Sequence, residues 1–172
     1  MPMRAAAITV SDRSFKGERP DVSGPVLKRL LEEAGAEVVE TGIVPDESPL
    51  IMQMLIRLAD VKQCELIITT GGTGLSPRDV TPEATMRVID RRIPGMEDAI
   101  RQDSLTHTPF AMLSRGIAGV RGQTLILNFP GSPKAVEECF AVVEPVLAHA
   151  VKLLRDENPY AEAEHACRPS RS

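Results

Sequence analysis

The sequence predicts an α/β fold with a mostly parallel sheet. Three observations carry this expectation. Short apolar runs alternate with longer stretches of helical periodicity, the pattern of successive strand–helix units. Several of those runs end in loops rich in glycine, proline and aspartate, as strands do at the ligand-binding edge of such folds. The 172 residues are 42% hydrophobic and 26% charged, enough to bury one core and stay dissolved.

Residues 5–10, AAAITV, read as a buried parallel strand that ends at Ser11-Asp12. The polar loop DRSFKGERPD follows. Residues 22–34 place Val26, Leu27, Leu30, Leu31 and Ala34 on one helical stripe, with Gly35 as its stop. Residues 36–44 form a second strand, broken by Pro45-Asp46-Glu47-Ser48-Pro49. Ser48 is expected to cap a helix over about 49–62, with Pro49 at its first position. Residues 65–70, ELIITT, form a third strand that runs straight into GGTG.

Beyond the glycines, Thr81 is expected to cap a helix with Pro82 at its first position, running to about Arg91. Pro94-Gly95 precedes a helix over about 96–106, which Pro109 stops. Residues 110–120 are apolar without a clear period. The turn Arg121-Gly122 leads into the strand 124–129, TLILNF, antiparallel to any strand just before the turn. Ser132-Pro133 opens a long helix to about Leu154, in which Pro145 predicts a kink. From residue 156 the chain is polar and is expected to be a flexible tail.

Composition excludes several function classes. The net charge of −4, with no tryptophan and one tyrosine (Tyr160), argues against nucleic-acid binding by bulk positive potential or base stacking. Cys64, Cys139 and Cys167 are too far apart for a short zinc knuckle, and their odd number suits reduced thiols. No run of about 18 apolar residues predicts a membrane span, and the start MPMRAAAITVSD has no signal-peptide pattern. A cytoplasmic location is the expectation. His107, His149 and His165 are scattered and suggest no catalytic cluster.

The sharpest local signal is Thr70-Gly71-Gly72-Thr73-Gly74. Glycines admit positive φ and close approach of a ligand, and consecutive N–H groups can face an anion. The alternative is a tight strand-to-helix turn without a ligand. The spacing is neither that of a Walker loop nor GxGxxG. Asp79 follows in SPRDVTP, where it either bridges to phosphate through Mg²⁺ or accepts backbone hydrogen bonds. Asp46 reads as a second oxygen ligand or as a turn aspartate. Asp12 either bonds the ligand or braces a neighbouring loop. Arg115 either pairs with a phosphate or is a surface arginine. Lys134, near a helix N-terminus, conflicts with the helix dipole unless an anion is present. No nucleophile elbow is visible, so direct in-line group transfer is the natural reaction class.

The ordered set ITVSD, VPDE, TTGGTG, PRDVTPEAT, Pro94-Gly95, TPFAMLSR and ILNFPGSPKAVEEC resembles the molybdopterin-binding MoaB/Mog domain family, gephyrin G domains included. The resemblance spans residues 4–155 and leaves 156–172 unassigned. It implies a three-layer α/β/α sandwich with one antiparallel strand, usually in a trimer. It also implies adenylylation of molybdopterin by Mg-ATP with release of pyrophosphate, or, in an alternative role, a carrier that only binds molybdopterin. The product would pass to a separate molybdate-insertion protein. In the family pattern Asp46 and Asp79 handle Mg²⁺ and catalysis, and Gly71, Gly72, Thr73 and Gly74 lie against the phosphates. Ser11, Asp12, Thr70, Pro94, Gly95, Ser114, Arg115, Pro130, Gly131, Ser132 and Lys134 are carried over as further substrate-binding positions. Phe129 stands where an aliphatic residue is more usual.

Overall fold

The side-chain alternation of the central strands settles the layering. A computed structural model of the protein describes residues 1–156. In chain order it contains β1 (Arg4–Val10), α1 (Asp12–Phe15), α2 (Ser23–Glu33), β2 (Glu37–Val44) and α3 (Ser48–Ile56), the last continued by a π-helical turn, Arg57–Val61. Next come β3 (Leu66–Thr70), α4 (Thr81–Val88), β4 (Arg91–Arg92), α5 (Pro94–His107) and a 3₁₀ turn, Pro109–Leu113. β5 (Ala118–Arg121), β6 (Thr124–Phe129) and α6 (Pro133–Leu154) complete the order.

Neighbouring residues of a strand point to opposite faces, and each face has its own core. Ala5, Ala7, Leu66, Ile68, Leu125 and Leu127 pack against Leu27 and Leu31 of α2 and against Val136, Phe140, Val143 and Leu147 of α6. Ala6, Ile8, Ile67 and Ile126 pack the other way, against Ile51 and Leu55 of α3 and Ala84 and Val88 of α4. The expected α/β/α sandwich is therefore present. Its sheet order is β2-β1-β3-β6-β5-β4. β2, β1, β3 and β6 pair in parallel, while β5 runs antiparallel to both its neighbours. That makes β5 the one reversed strand.

Several local expectations need correction. The loop after β1 contains a helical turn, α1, capped by Ser11, whose hydroxyl accepts from Ser14 N–H at 3.2 Å. Ser48 does not cap α3; it is the first helical residue, and its hydroxyl turns to Met52 Sδ. Thr81 does not cap α4 either, because its hydroxyl reaches back to the glycine loop. α4 stops at Val88, earlier than expected, since Arg91 and Arg92 pair with β5 as a short edge strand. α5 begins at Pro94, ahead of the expected 96.

The helix α2 ends as anticipated. Gly35 has φ +83°, and the bonds Ala36 N–H to Leu31 O and Gly35 N–H to Glu32 O close the C-terminus. α6 runs through Pro145 without interruption. Pro145 and Ala141, whose carbonyl the proline leaves unmatched, both lie on the exposed face, where water can serve that carbonyl. Cys64 and Cys139 are buried free thiols, and burial pushes both up to about 11. The expected tail beyond Asp156, with Cys167 and His165, lies outside the described residues. Among the described residues no helix is long and apolar enough to cross a membrane.

Candidate functional site

The strand order creates a crevice before any side chain is considered. β2 lies on one side of β1 and β3 on the other, so the connections leaving β1 and β3 diverge at their carboxyl ends. A cleft of about 1080 Å³ opens at that point. Its lining includes Ser11, Asp12, Asp46, Thr70, Gly71–Gly74, Asp79, Ser114 and Pro130–Ser132. Loops from four strands thus converge as the sequence suggested.

The glycine loop is built against the sheet. Gly71 has φ +100°, and a Cβ there would meet Val10 O at 2.4 Å. Gly72 has φ +69°, and its Cβ would meet Thr81 Oγ1 at 2.2 Å. Both positions therefore require glycine. Gly71 N–H donates to Phe129 O at 3.0 Å, and Thr70 Oγ1 donates to Pro130 O at 2.7 Å, tying the loop after β3 to the loop after β6. Gly71 thus has no amide left for a ligand. Among the described residues no protein acceptor meets the N–H groups of Gly72, Thr73 and Gly74. Successive unpaired amides of this kind can form an anion-binding concavity.

A buried polar ladder supports the loop from below. Asn128 Nδ2 donates to Thr69 Oγ1 and Thr85 Oγ1 at 3.0 and 3.1 Å, and its Oδ1 accepts from Ile117 N–H. Thr85 Oγ1 donates to Thr81 O at 2.8 Å, and Thr81 Oγ1 to Gly71 O at 3.0 Å. Every buried side-chain polar atom among the described residues has a partner, so the ladder is satisfied throughout.

The two aspartates singled out in the sequence flank this loop. Asp46 Oδ1 lies 3.0 Å from the Cβ position of Gly72, and Asp79 Oδ2 lies 2.9 Å from that of Gly74. Asp79 Oδ2 also accepts from Ser76 N–H at 3.1 Å. Asp46 Oδ2 accepts from the backbone N–H of Asp12 at 2.8 Å, and Asp12 Oδ1 accepts from the backbone N–H of Asp46 at 3.0 Å. Burial, followed by the nearby charges of Asp12 and Asp79, raises Asp46 above the usual carboxylate range. Asp12 moves the other way, held low by its hydrogen bonds from Arg78.

Among the described residues no group of three or more metal-ligating side chains exists. Two carboxylates beside a phosphate-type loop nevertheless fit Mg²⁺, which keeps several waters and takes its other ligands from substrate phosphates. Burial is the main cause that raises Asp46; the charges of Asp12 and Asp79, which add to it, are the part a divalent cation would neutralise.

Not every expected residue reaches the cleft. Arg115 braces the loop from behind: Nε donates to Gly74 O and Nη2 to Asp79 O, both at 2.8 Å, and Nη1 pairs with Glu83. Its guanidinium thus serves two carbonyls and one carboxylate of the protein, and it is not among the residues that line the cleft. Lys134 is exposed and pairs with Glu138 at 3.8 Å. Pro94 and Gly95 open α5 beside the far edge strand β4 and do not line the cleft. Residues without an expected role do line it, notably Arg13, Arg19 and Arg78. Arg78 had a readable signal, a cation one residue before Asp79 in a motif otherwise short of positive charge. Arg13 and Arg19 offered none beyond their charge.

Residues 6–149 match the family described as "Probable molybdopterin binding domain". The chain is 42% identical over 149 residues to the molybdopterin adenylyltransferase of Helicobacter pylori J99, covering 86% of this chain and 85% of that one. It is 40% identical over 174 residues to the enzyme of that name from Escherichia coli K12, covering 93% and 88%. Against the molybdenum cofactor synthesis protein cinnamon of Drosophila melanogaster it is 44% identical over 160 residues, but it spans only 27% of that longer protein. Among solved structures, the molybdopterin biosynthesis enzyme MoaB of Thermus thermophilus superposes with a TM-score of 0.85 at 48% identity, covering 90% of this chain and 97% of that one. With the motif set, the fold and these likenesses in agreement, the chain belongs to the molybdopterin-binding domain family of molybdenum cofactor synthesis.

Proposed function

We propose that this protein is a molybdopterin adenylyltransferase, which uses Mg-ATP to convert molybdopterin to adenylyl-molybdopterin and pyrophosphate. The observation that carries this reading is the placement of Asp46 and Asp79 beside Gly72 and Gly74 at the cleft, in a chain of this family. The names of the Helicobacter and Escherichia relatives support it over most of the chain. The cleft volume of about 1080 Å³ lies at the upper end of the roughly 300–1,000 Å³ of small-molecule pockets, room enough for a nucleotide-sized ligand.

In the reaction an oxygen of molybdopterin attacks the α-phosphorus of ATP, and the bond to the departing pyrophosphate breaks in line. The N–H groups of Gly72, Thr73 and Gly74, which have no backbone acceptor, would donate to phosphate oxygens. Asp46 and Asp79 would hold the Mg²⁺, which would neutralise phosphate charge and ease departure of pyrophosphate. Arg115 keeps the carbonyl side of the loop fixed. The reading includes a cytoplasmic homotrimer that hands its product to a molybdate-insertion protein. Exposed Phe110 and Met112 offer apolar surface for assembly, and light scattering should then give three times the 18.7 kDa chain mass.

The test is turnover of molybdopterin and ATP by the wild type, Asp46→Ala and Asp79→Ala, read by pyrophosphate release and by the mass of the product. Loss on the order of 100-fold or more is expected in each variant. Normal turnover in both would sink the assignment. Bound pterin with no pyrophosphate release by the wild type would make the protein a carrier.

A further inference from the structure

Resting on the reading that Asp46 helps hold the metal, we propose that Asp12 and Arg78 are positioning residues for Asp46 and not contacts to substrate. Both Asp12 oxygens are already engaged by the protein. Its Oδ1 accepts from Asp46 N–H and from Arg78 Nη2, and its Oδ2 accepts from Arg78 Nε, at 3.0, 2.9 and 2.9 Å. Asp46 is gripped in return. Its Oδ2 is taken by Asp12 N–H, which leaves Oδ1 on the side of the glycine loop, against Gly72. One closed ring of two backbone amides and two carboxylates therefore decides which Asp46 oxygen faces the cleft.

Arg78 closes that ring from outside. It leaves the segment after the glycine loop, crosses to Asp12 after β1, and lies 3.9 Å from Glu47 after β2. A planar guanidinium fixes a carboxylate through two parallel bonds, which an ammonium cannot do. Three chain segments that share no strand pairing at this point are joined by one side chain. That side chain is more than half exposed, so removing it opens no cavity.

Charge alone and positioning make opposite forecasts for Arg78. Deleting a cation next to Asp46 and Asp79 should tighten metal binding if charge governs. It should weaken binding if Arg78 sets the aim of Asp46. Replacement by lysine should be silent under the first account and damaging under the second.

The experiment is a Mn²⁺ titration followed by electron paramagnetic resonance, with α,β-methylene-ATP present, on the wild type, Arg78→Ala, Arg78→Lys, Asp12→Ala and Asp46→Ala. Both Arg78 variants and Asp12→Ala are expected to bind Mn²⁺ about five- to tenfold more weakly, about 1–1.4 kcal/mol by the usual conversion. Their kcat should fall in parallel while KM for molybdopterin holds, and their melting temperatures should stay near that of the wild type. Mn²⁺ binding by Arg78→Ala that is equal or tighter, or wild-type behaviour of Arg78→Lys, overturns the proposal while a defective Asp46→Ala leaves the parent reading standing. Undiminished Mn²⁺ binding by Asp46→Ala overturns both.

Discussion

The hydroxyl of Thr81, fully buried at the start of α4, donates to the carbonyl of Gly71 at 3.0 Å. A residue that looks like a helix cap is thus used to hold the glycine loop in place. Thr81→Val keeps the shape and deletes the donor, leaving the Gly71 carbonyl without that partner. The expected cost is about 1–3 kcal/mol of stability, measured by urea denaturation, with a higher KM for ATP. An unchanged midpoint would mean that the bond contributes nothing net.

Gly72 and Gly122 provide a matched comparison. Both have positive φ, +69° and +55°, but a Cβ at Gly72 meets Thr81 Oγ1 at 2.2 Å and Asp46 Oδ1 at 3.0 Å, while at Gly122 nothing lies within 4 Å. Gly122→Ala should therefore show only left-handed backbone strain, about 1–2 kcal/mol. Gly72→Ala should lose more stability than that, together with the adenylylation activity. Equal losses in chemical denaturation would argue that the contacts around Gly72 yield without cost.

Asp46 should trade stability for function. Its carboxyl is raised by burial and by Asp12 and Asp79, so the folded state holds that proton more tightly than the unfolded chain does. Such a group favours the fold when protonated, and this contribution is lost as pH rises from the ordinary carboxylate value through the raised one. Asp46→Asn should accordingly raise Tm at pH 7–8 in the absence of divalent ions. The gain should shrink as the pH falls into the carboxylate range, and catalysis should be lost throughout. Calorimetric scans across pH check the sign, and a lower Tm for the variant at neutral pH would contradict it.

The two buried thiols should be inert in the native protein. With both raised to about 11, only about one in a thousand is thiolate at pH 8, and both are 1% exposed. Iodoacetamide labelling followed by peptide mapping should leave Cys64 and Cys139 unmodified until denaturant is added. Rapid native labelling of either would show that its layer opens readily.

The parallel strands were legible because β1, β3 and β6 are short apolar runs, and their loops carried the motif residues to one edge. The roles of Thr81 and Ser48 were not. Local capping rules assign both by their position before a proline or a helix, whereas the observed partners are long-range or mid-helix. β4 was invisible because two arginines have no strand period; they pair only because β5 lies beside them. At the site, Asp46 and Asp79 could be marked by residue type and by family pattern. The ring of Asp12, Asp46 and Arg78 could not, since it depends on which main-chain amides the strand ends present to one another.

Gly71 is restrained on three sides: its amide by Phe129, its carbonyl by Thr81, and its α-carbon by the end of β1. In kinetic terms the segment behaves as an extension of the sheet. Its amide can exchange with solvent only when β3 and β6 part, so its protection should follow global unfolding and not surface fluctuation. On the proposed reading, a phosphate at Gly72–Gly74 would meet donors already ordered by the core, so little conformational entropy would be surrendered on binding. The entropic cost of shaping the cradle was met once, during folding, and is not repeated at each turnover.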